Sequence, residues 1–455
     1  MVCSVACVNH ETAVFRRRPS SLSMRRRCLI YGVLGAVVLG LVANTSSRAA
    51  STNYVSLASI QKDITSFTKT LKATGSVSYA QNSSVADQIL HASSVSDAPK
   101  PLAGATCFSN GFVPVGNPNI SECVWTNPTS DVTILLFGDS HAQQWLRVLI
   151  DIANLRGFRL VTLMHTACGA AQLTSRPTLP AAEREACTTW HNKVFEEIPK
   201  LLPSAVIFAS SIQDLPSNAY AAEVELNGIL TGALGSASRV ISLHDTPNQL
   251  FRIGGNSITP AACLSHNQLM AIYNPKALTK KVDTYDCYRP FKSTFYALND
   301  AIRAQVAQAD VDSGVQVIEP MPWFCNVSST GLCPPVILGT FIYRDWAHMR
   351  SEYLERLTML LDASIKTIPK SPSGLRIPIR ASTTATFAWN KPFDGHSAIS
   401  GYIATVTPGG KTCSTLLLGC TVAGLTPGMP YTVSLRAHNA IGASVPRVLQ
   451  FKTLK

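Results

Sequence analysis

The sequence predicts an α/β domain built on a parallel sheet, followed by a small all-β domain. From about residue 105 to 365, short β-type runs alternate with helical patterns, which is typical of a parallel sheet covered by helices on both faces. After SIKTIPKSPSG (364–374), polar and apolar residues alternate between Pro/Gly turns, which predicts a β-sandwich over 372–455. The segments of the α/β region are, in order, Val132–Phe137, Arg147–Arg156, Leu160–Met164, Trp190–Leu202, Ala205–Ala209, Glu223–Gly232, Val240–His244, Ser293–Ala307, Gln316–Ile318 and Ser351–Ile365.

Composition and charge indicate a globular protein without a nucleic-acid partner. The 455 residues are 46% hydrophobic and 15% charged, which excludes a disordered chain. The formal net charge is +12, but residues 1–50 alone hold seven arginines against one acidic residue. Because no later block of lysine and arginine with interleaved aromatic residues occurs, we expect no nucleic-acid binding.

Residues 1–50 are typical of a signal peptide or an N-terminal anchor. Arg25–Arg27 precede the apolar stretch Leu29–Ala43, and the small residues Ser47 and Ala49 fit a cleavage site. This stretch is shorter than the roughly 20 residues of a spanning helix, and both a cleaved and a retained segment stay open. We therefore expect a secreted or cell-surface protein, free or tethered through this segment. Residues 51–104, rich in Ser, Ala and Thr and with weak helical patches, are interpreted as a spacer or as loosely attached helices.

Cysteine usage agrees with export. After the leader, ten cysteines fall in close couples at positions 107/123, 168/187, 263/287, 325/333 and 413/420. An even number without a CxxC motif favours disulfides over zinc, and pairing between neighbours is the working hypothesis. No set of His, Cys, Asp or Glu has metal-ligand spacing and no phosphate loop occurs, so we expect neither a metal nor a cofactor.

The stretch LLFGDSH places a hydroxyl between a buried strand and a helix. Ser140 lies where ligands collect in an open α/β sheet, and Gly138 permits a tight turn there. N–H groups at the start of the helix can stabilise a negative oxygen beside this hydroxyl. The alternative is that Asp139 or Ser140 only caps the helix. A serine nucleophile also needs a base and an orienting acid, and YRDWAHMR offers His348 and Asp345 three residues apart.

FGDSH, with Asp-x-x-His near the end of the domain, resembles the SGNH (GDSL-type) hydrolase superfamily. The wider pattern is similar to the SGNH domains of membrane acyltransferase 3 proteins, which O-acylate surface polysaccharides. The resemblance covers a domain placed at 105–366 and implies a flavodoxin-like three-layer sandwich, with Ser140 as nucleophile, His348 as base and Asp345 as orienting acid. The matching segments include TACGAA…CTTW (166–190), HDTPNQL…ACLSHN (244–267) and WFC…LCPPV…IYRDWAHMRSEY (323–353).

The resemblance also implies an oxyanion hole, for which Ser140 and Gly169 are the positional matches. The superfamily's third block supplies an asparagine, but the corresponding segment IFASSIQD (207–214) has none. Ser211 or Gln213 could donate instead, or backbone N–H groups alone could form the hole.

Residues beside these motifs are candidate substrate contacts. They are Asp139, His141 and Trp346, of which Trp346 could stack on a sugar ring. His191, in CTTWHNKVF, is interpreted as helix surface.

The C-terminal segment resembles a fibronectin type III module along its whole length. Trp389 lies on an early strand, LTPGMPY ends in a corner tyrosine at Tyr431, and AHNAIGAS (437–444) is similar to the family's penultimate loop. Both aromatic residues are expected in the core, and the couple 413/420 is expected to staple a hairpin.

Together these features predict an exported serine esterase or O-acyltransferase acting on acetyl-type esters of cell-envelope polysaccharide or peptidoglycan. Hydrolysis is the simpler expectation, since transfer would require an integral membrane acyltransferase as partner. The competing hypothesis is a non-catalytic envelope module that binds glycan or protein. The missing asparagine favours that alternative, and the set Ser140, Asp345 and His348 disfavours it.

Overall fold

The computed structural model describes most of the chain from residue 53 onwards. The described residues are 53–74, 83–90, 108–109, 123–165, 168–171, 180–212, 215, 218–236, 239–248, 251–253, 256–262, 264, 294–326, 332–345 and 347–455. Residues 51–455 form one compact unit. The predicted leader and the cysteine couples 107/123 and 263/287 fall wholly or partly outside the described residues.

The α/β domain is built on a seven-stranded sheet. Its strands are β1 (Phe108–Ser109), β2 (Val124–Thr126), β3 (Thr133–Gly138), β4 (Arg159–His165), β5 (Ala205–Ala209), β6 (Val240–Leu243) and β9 (Gln316–Ile318). The parallel order is β1-β4-β3-β5-β6-β9, and β2 pairs antiparallel with β4. From β3 the chain moves first to one side and then to the other, as in flavodoxin-like sheets, so the carboxyl ends of β3 and β5 flank the topological switch point.

Helices cover both faces of this sheet. They are α1 (Leu57–Thr74), α2 (Ser83–Leu90), α3 (Ser140–Gln143), α4 (Leu146–Arg156), α5 (Ala181–Leu201), α6 (Ala219–Leu234), α7 (Thr294–Ser313), α8 (Ser351–Arg356) and α9 (Thr358–Ser364). Ile134 and Leu136 of β3 share a core with α4, whereas Leu135 and Phe137 share a second core with α5 and α6. Alternate side chains of a strand point to opposite faces. The predicted three-layer α/β fold is confirmed. Among the described helices, none combines the length and apolarity needed to cross a bilayer.

The predicted spacer at 51–104 differs from the structure in its described part. Helices α1 and α2 bury Ile60, Ile64 and Val85 in the core that they share with α4. They also hold two short strands, β10 (Val336–Ile337) and β11 (Thr340–Phe341). Asp63 Oδ2 accepts a hydrogen bond from the Leu338 N–H at 2.8 Å, and Gln88 Oε1 accepts one from the Phe341 N–H at 2.9 Å. The Arg350 guanidinium donates to the Gln88 carbonyl at 2.9 Å.

The C-terminal domain is an antiparallel sandwich of a three-stranded and a four-stranded sheet. Its strands are β12 (Ser373–Arg380), β13 (Thr384–Asn390), β14 (Gly401–Thr407), β15 (Lys411–Thr415), β16 (Gly419–Ala423), β17 (Pro430–His438) and β18 (Arg447–Lys452); the hairpin β7 (Phe251–Ile253) and β8 (Asn256–Ile258) completes the strands of the described chain. Trp389 and Tyr431 are buried, and the Tyr431 hydroxyl accepts a hydrogen bond from the Thr426 N–H at 2.8 Å. This is the tyrosine corner of such sandwiches.

Three predicted disulfides are confirmed, namely Cys168–Cys187, Cys325–Cys333 and Cys413–Cys420. The Cys413–Cys420 bond was expected to staple a hairpin, but β15 and β16 belong to different sheets. The bond therefore ties the two sheets of the sandwich together.

A cluster of ionisable groups, in which His244 and Asp310 are buried and Glu319 is exposed, lies at the carboxyl end of β6. His244 Nε2 is 2.8 Å from Asp310 Oδ2, and its Nδ1 is 2.9 Å from Glu319 Oε2. Burial alone would lower the pKa of His244, but the hydrogen bonds to these two carboxylates outweigh it and raise that pKa to about 9. Glu223 faces the same cluster; burial and the Asp310 charge raise its pKa. Arg303 completes the set of charges around Glu319.

The His244 cluster predicts a pH-dependent stability. Its stabilising contribution is fully present below pH 6.5 and is lost as the pH rises through about 9. The free energy of unfolding of the wild type, minus that of His244→Gln, should therefore fall by on the order of 3 kcal/mol across this interval. Urea unfolding followed by tryptophan fluorescence at several pH values measures it. A difference that stays constant with pH would contradict the assignment.

Candidate active site

Strand β3 ends against its neighbour at Gly138. The backbone of Gly138 has φ +145°, and a Cβ built there would lie 1.9 Å from the Ala209 carbonyl oxygen on β5. No other residue fits this close approach. The glycine thus brings the next two residues, Asp139 and Ser140, to the switch point of the sheet.

Asp139 caps the short helix that begins at Ser140. Its Oδ1 accepts a hydrogen bond from the His141 N–H at 2.8 Å, and its Oδ2 accepts one from the Ser211 N–H at 2.9 Å. The side chain is completely buried. The prediction that Asp139 contacts substrate differs from the structure, because both carboxylate oxygens face the backbone of neighbouring loops. The capping alternative fits Asp139.

Ser140, His348 and Asp345 lie in one hydrogen-bonded row. His348 Nε2 is 2.9 Å from Ser140 Oγ. His348 Nδ1 is 2.9 Å from Asp345 Oδ2 and 3.0 Å from its Oδ1. The three side chains come from the end of β3 and from a loop 208 residues later. This row has the geometry in which an imidazole can take a proton from a hydroxyl while a carboxylate orients the ring.

The loop that carries Asp345 and His348 is shaped by its own hydrogen bonds. Asp345 Oδ1 accepts from the N–H groups of Ala347 and His348, both at 2.8 Å. The loop is closed at its base by the Arg350 N–H, which donates to the Ile342 carbonyl at 2.8 Å. Partial burial would raise the pKa of Asp345, but its bonds to His348 and to these N–H groups hold that pKa well below its usual range. Asp345 is therefore a carboxylate at neutral pH.

Gln144, which was not predicted from the sequence, ties this loop to helix α3. Its Oε1 accepts a hydrogen bond from the Met349 N–H at 2.9 Å, and its Nε2 donates to Thr246 Oγ1 at 3.2 Å. Gln144 lies four residues after Ser140, one helical turn away. That spacing is the sequence signal that could have identified it.

His141 pairs with a buried carboxylate beside His348. Its Nδ1 bonds to Asp245 Oδ1 at the carboxyl end of β6, and the centres of the His141 and His348 rings are 4.7 Å apart. Burial opposes a charge on His141, but Asp245 outweighs it and raises the pKa of the imidazole. His141 is 3% exposed. The predicted substrate contact at His141 differs from the structure. Its side chain is instead buried between Asp245 and the ring of His348.

Gly169 lies next to the nucleophile turn. A Cβ built on it would be 3.3 Å from Ser210 Cβ and 3.5 Å from Asp139 Oδ2. The Gly169 carbonyl accepts a hydrogen bond from His191 Nε2 at 3.0 Å. The donation of an N–H to an oxyanion by Gly169 or Ser140 stays a prediction, and the predicted Gln213 and Trp346 lie outside the described residues.

The interpretation of His191 as helix surface is wrong. His191 is 2% exposed, and burial lowers its pKa to about 4, so the ring is neutral. Cys168, Cys187 and His191 bring possible ligand atoms within 4.8 Å of one another. The two sulfurs form a disulfide, however, and a metal requires thiolates. His191 and the disulfide instead fix the backbone on either side of Gly169.

The contact at Gly138 generates a stability prediction. Gly138→Ala should destabilise the protein by about 3 kcal/mol or more, because the methyl group collides with the Ala209 carbonyl of a central strand. Gly232→Ala is the matched control: it lies in α6 with no atom within 4 Å of a built Cβ, and alanine should stabilise the helix by up to about 1 kcal/mol. Chemical unfolding of both variants measures the difference, and equal effects would contradict the close approach.

Family models match both domains of the chain. Residues 106–363, more than half of the chain, match the family described as "SGNH domain (fused to AT3 domains)", and residues 370–450 match the fibronectin type III domain. Among solved structures, the periplasmic domain of the lipopolysaccharide acetyltransferase of Salmonella ser. Paratyphi A is 15% identical, with 62% of this chain and 95% of that chain covered and a TM-score of 0.40.

Two further solved structures each match about a fifth of the chain. A structure of titin domains is 22% identical, with 20% of this chain and 33% of that chain covered and a TM-score of 0.18. The FN1–FN3 domains of chicken CNTN1 are 16% identical, with 19% and 32% covered and a TM-score of 0.18. This chain thus spans about a third of each of these two structures. By its matched residues, the chain belongs to the family of SGNH domains that occur fused to AT3 domains, and it also carries a fibronectin type III domain.

Proposed function

We propose that this protein is an exported serine esterase or O-acyltransferase that acts on acyl esters of cell-envelope carbohydrate. The family match supports hydrolase or acyltransferase chemistry in general. The observation that carries the proposal is the row of Ser140, His348 and Asp345, with 2.9 Å between His348 Nε2 and Ser140 Oγ. The carbohydrate substrate follows from the resemblance to domains that O-acylate polysaccharides.

In the first step, Ser140 Oγ attacks the carbonyl carbon of the ester while His348 Nε2 takes the hydroxyl proton. Asp345 stabilises the imidazolium that forms and keeps Nδ1 protonated. The tetrahedral oxyanion lies against the N–H groups of Ser140 and Gly169. His348 then returns the proton to the leaving alcohol, and the acyl group stays on Ser140 Oγ.

In the second step, His348 takes a proton from the acceptor, whose oxygen attacks the carbonyl carbon of the acyl-serine. The bond between this carbon and Ser140 Oγ then breaks, and His348 returns the proton to Oγ. With water as acceptor the product is a free acid, and with a sugar hydroxyl it is a new ester. We propose hydrolysis as the default reaction, with transfer when an integral membrane acyltransferase supplies the acyl group. Product analysis with and without a carbohydrate acceptor distinguishes the two outcomes.

Ser140→Ala should abolish ester turnover. Without the nucleophile, hydrolysis of p-nitrophenyl acetate by purified protein should fall by about a thousandfold or more. Ser414→Ala, which removes an exposed hydroxyl in β15, should retain wild-type turnover and is the control. Equal turnover by the wild type and Ser140→Ala would favour the non-catalytic glycan-binding or protein-binding module instead.

Gln144 should act as a positioning residue for His348. Gln144→Met removes the acceptor for the Met349 N–H and should lower kcat about tenfold or more with little change in KM, because the imidazole is less well held. Gln144→Glu keeps an oxygen for this N–H and should retain most of kcat. Steady-state kinetics on the same ester test the pair. If both variants lose kcat equally, the hydrogen bond to Met349 is not the cause.

A further inference from the structure

The excess positive charge of the chain beyond the leader is concentrated in the fibronectin-type domain. Residues 372–455 contain eight lysines and arginines against a single acidic residue, Asp394, whereas residues 51–371 contain 24 basic and 25 acidic residues. All eight basic side chains of the domain are exposed: Arg376, Arg380, Lys391, Lys411, Arg436, Arg447, Lys452 and Lys455. In the described structure none of them forms a salt bridge with a carboxylate.

The same domain exposes three consecutive leucines at the turn between β15 and β16. Leu416, Leu417 and Leu418 are 71%, 73% and 44% exposed. Single exposed apolar residues are ordinary on protein surfaces, but a contiguous exposed apolar patch indicates an interaction site. We call these three residues the leucine tip.

The leucine tip is held in place rather than loosely attached. The Cys413–Cys420 disulfide closes its base. The Leu417 N–H donates to Thr415 Oγ1 at 3.0 Å, and the Leu418 carbonyl accepts a hydrogen bond from the Trp389 N–H at 3.1 Å. Because Trp389 belongs to the sandwich core, the leucines extend from a fixed base.

Two of the eight basic residues, Arg376 and Lys391, lie at the same end of the sandwich as the leucine tip, whereas Arg380, Lys411 and Lys452 lie on strand positions at the other end. Arg376 pairs in register with Ala388, which pairs in turn with Gly419, the residue that follows the leucines. Lys391 directly follows the end of β13, the strand whose Trp389 N–H donates a hydrogen bond to the tip. An apolar tip and cationic side chains therefore share one end of the domain.

We propose that the fibronectin-type domain docks on an anionic lipid bilayer, with the leucine tip in the interfacial region and Arg376 and Lys391 against the headgroups. Interfacial binding of this kind combines buried apolar area with attraction to anionic lipids. A polyanionic glycan or nucleic acid would neutralise the charge but leave the leucines in water. A second copy of the domain would cover the leucines but bring the same positive charge. Of these occupants, the bilayer satisfies both features.

Vesicle binding by residues 51–455 tests this proposal. At about 0.1 M salt, the protein should sediment with vesicles of phosphatidylcholine containing about 30% phosphatidylglycerol, and far less with phosphatidylcholine alone. Leu416→Ser/Leu417→Ser should weaken binding to the anionic vesicles at least about tenfold. Leu155→Ser/Val311→Ser, which removes two exposed apolar side chains from α4 and α7, is the matched control and should bind like the wild type.

A local readout shows whether the leucines enter the bilayer. The added tryptophan of Leu417→Trp should shift its emission to shorter wavelength on anionic vesicles and be quenched by brominated lipids. Unchanged vesicle binding by the Leu416→Ser/Leu417→Ser variant, or no quenching of Trp at 417, would overturn the proposal. Binding that dextran sulfate abolishes, and that the leucine changes leave intact, would identify a polyanion surface instead. Ester turnover by the leucine variants should equal that of the wild type, which separates this test from that of Ser140.

Discussion

The close contact between β3 and β5 at Gly138 is the constraint on which the site depends. A Cβ cannot fit against the Ala209 carbonyl, so the position requires glycine. The strand ends at this glycine, and the chain turns at once into a helix. This turn places Ser140 at the switch point, between strands whose connections leave in opposite directions. A loop more than two hundred residues later can then reach the same point with His348.

The polar groups around Ser140 mainly hold the loops that form the site. Asp139 accepts hydrogen bonds from N–H groups of two different segments, and Gln144 links the His348 loop to Thr246. The His141–Asp245 pair ties the nucleophile helix to β6. Each of these groups is buried or half-buried, so leaving one unpaired would be costly. Such a fully paired frame favours one arrangement of the reacting atoms before any substrate arrives.

The features that the sequence could predict are those encoded locally. Three of these features each lie within a short segment: the alternation of strands and helices, the FGDSH motif between strand and helix, and the Asp345–His348 spacing. The disulfides likewise join cysteines that are near neighbours in sequence. The features it could not predict depend on distant partners. His141 and Asp245 are 104 residues apart, and His191 is buried because its helix packs against the segment that carries Gly169.

The packing of helices α1 and α2 into the core could not be predicted from the sequence for a related reason. Their apolar stripe is narrow and interrupted by serine and threonine. The stabilisation that it gives depends on being buried against a surface that other segments supply. They precede the matched family region, which begins at residue 106. Yet Asp63 and Gln88 hold the strands that lead into the His348 loop. A fragment that begins at the family boundary would therefore expose part of the core and loosen the base of the His348 loop. Removing the two helices would disturb this loop without changing Ser140, His348 or Asp345.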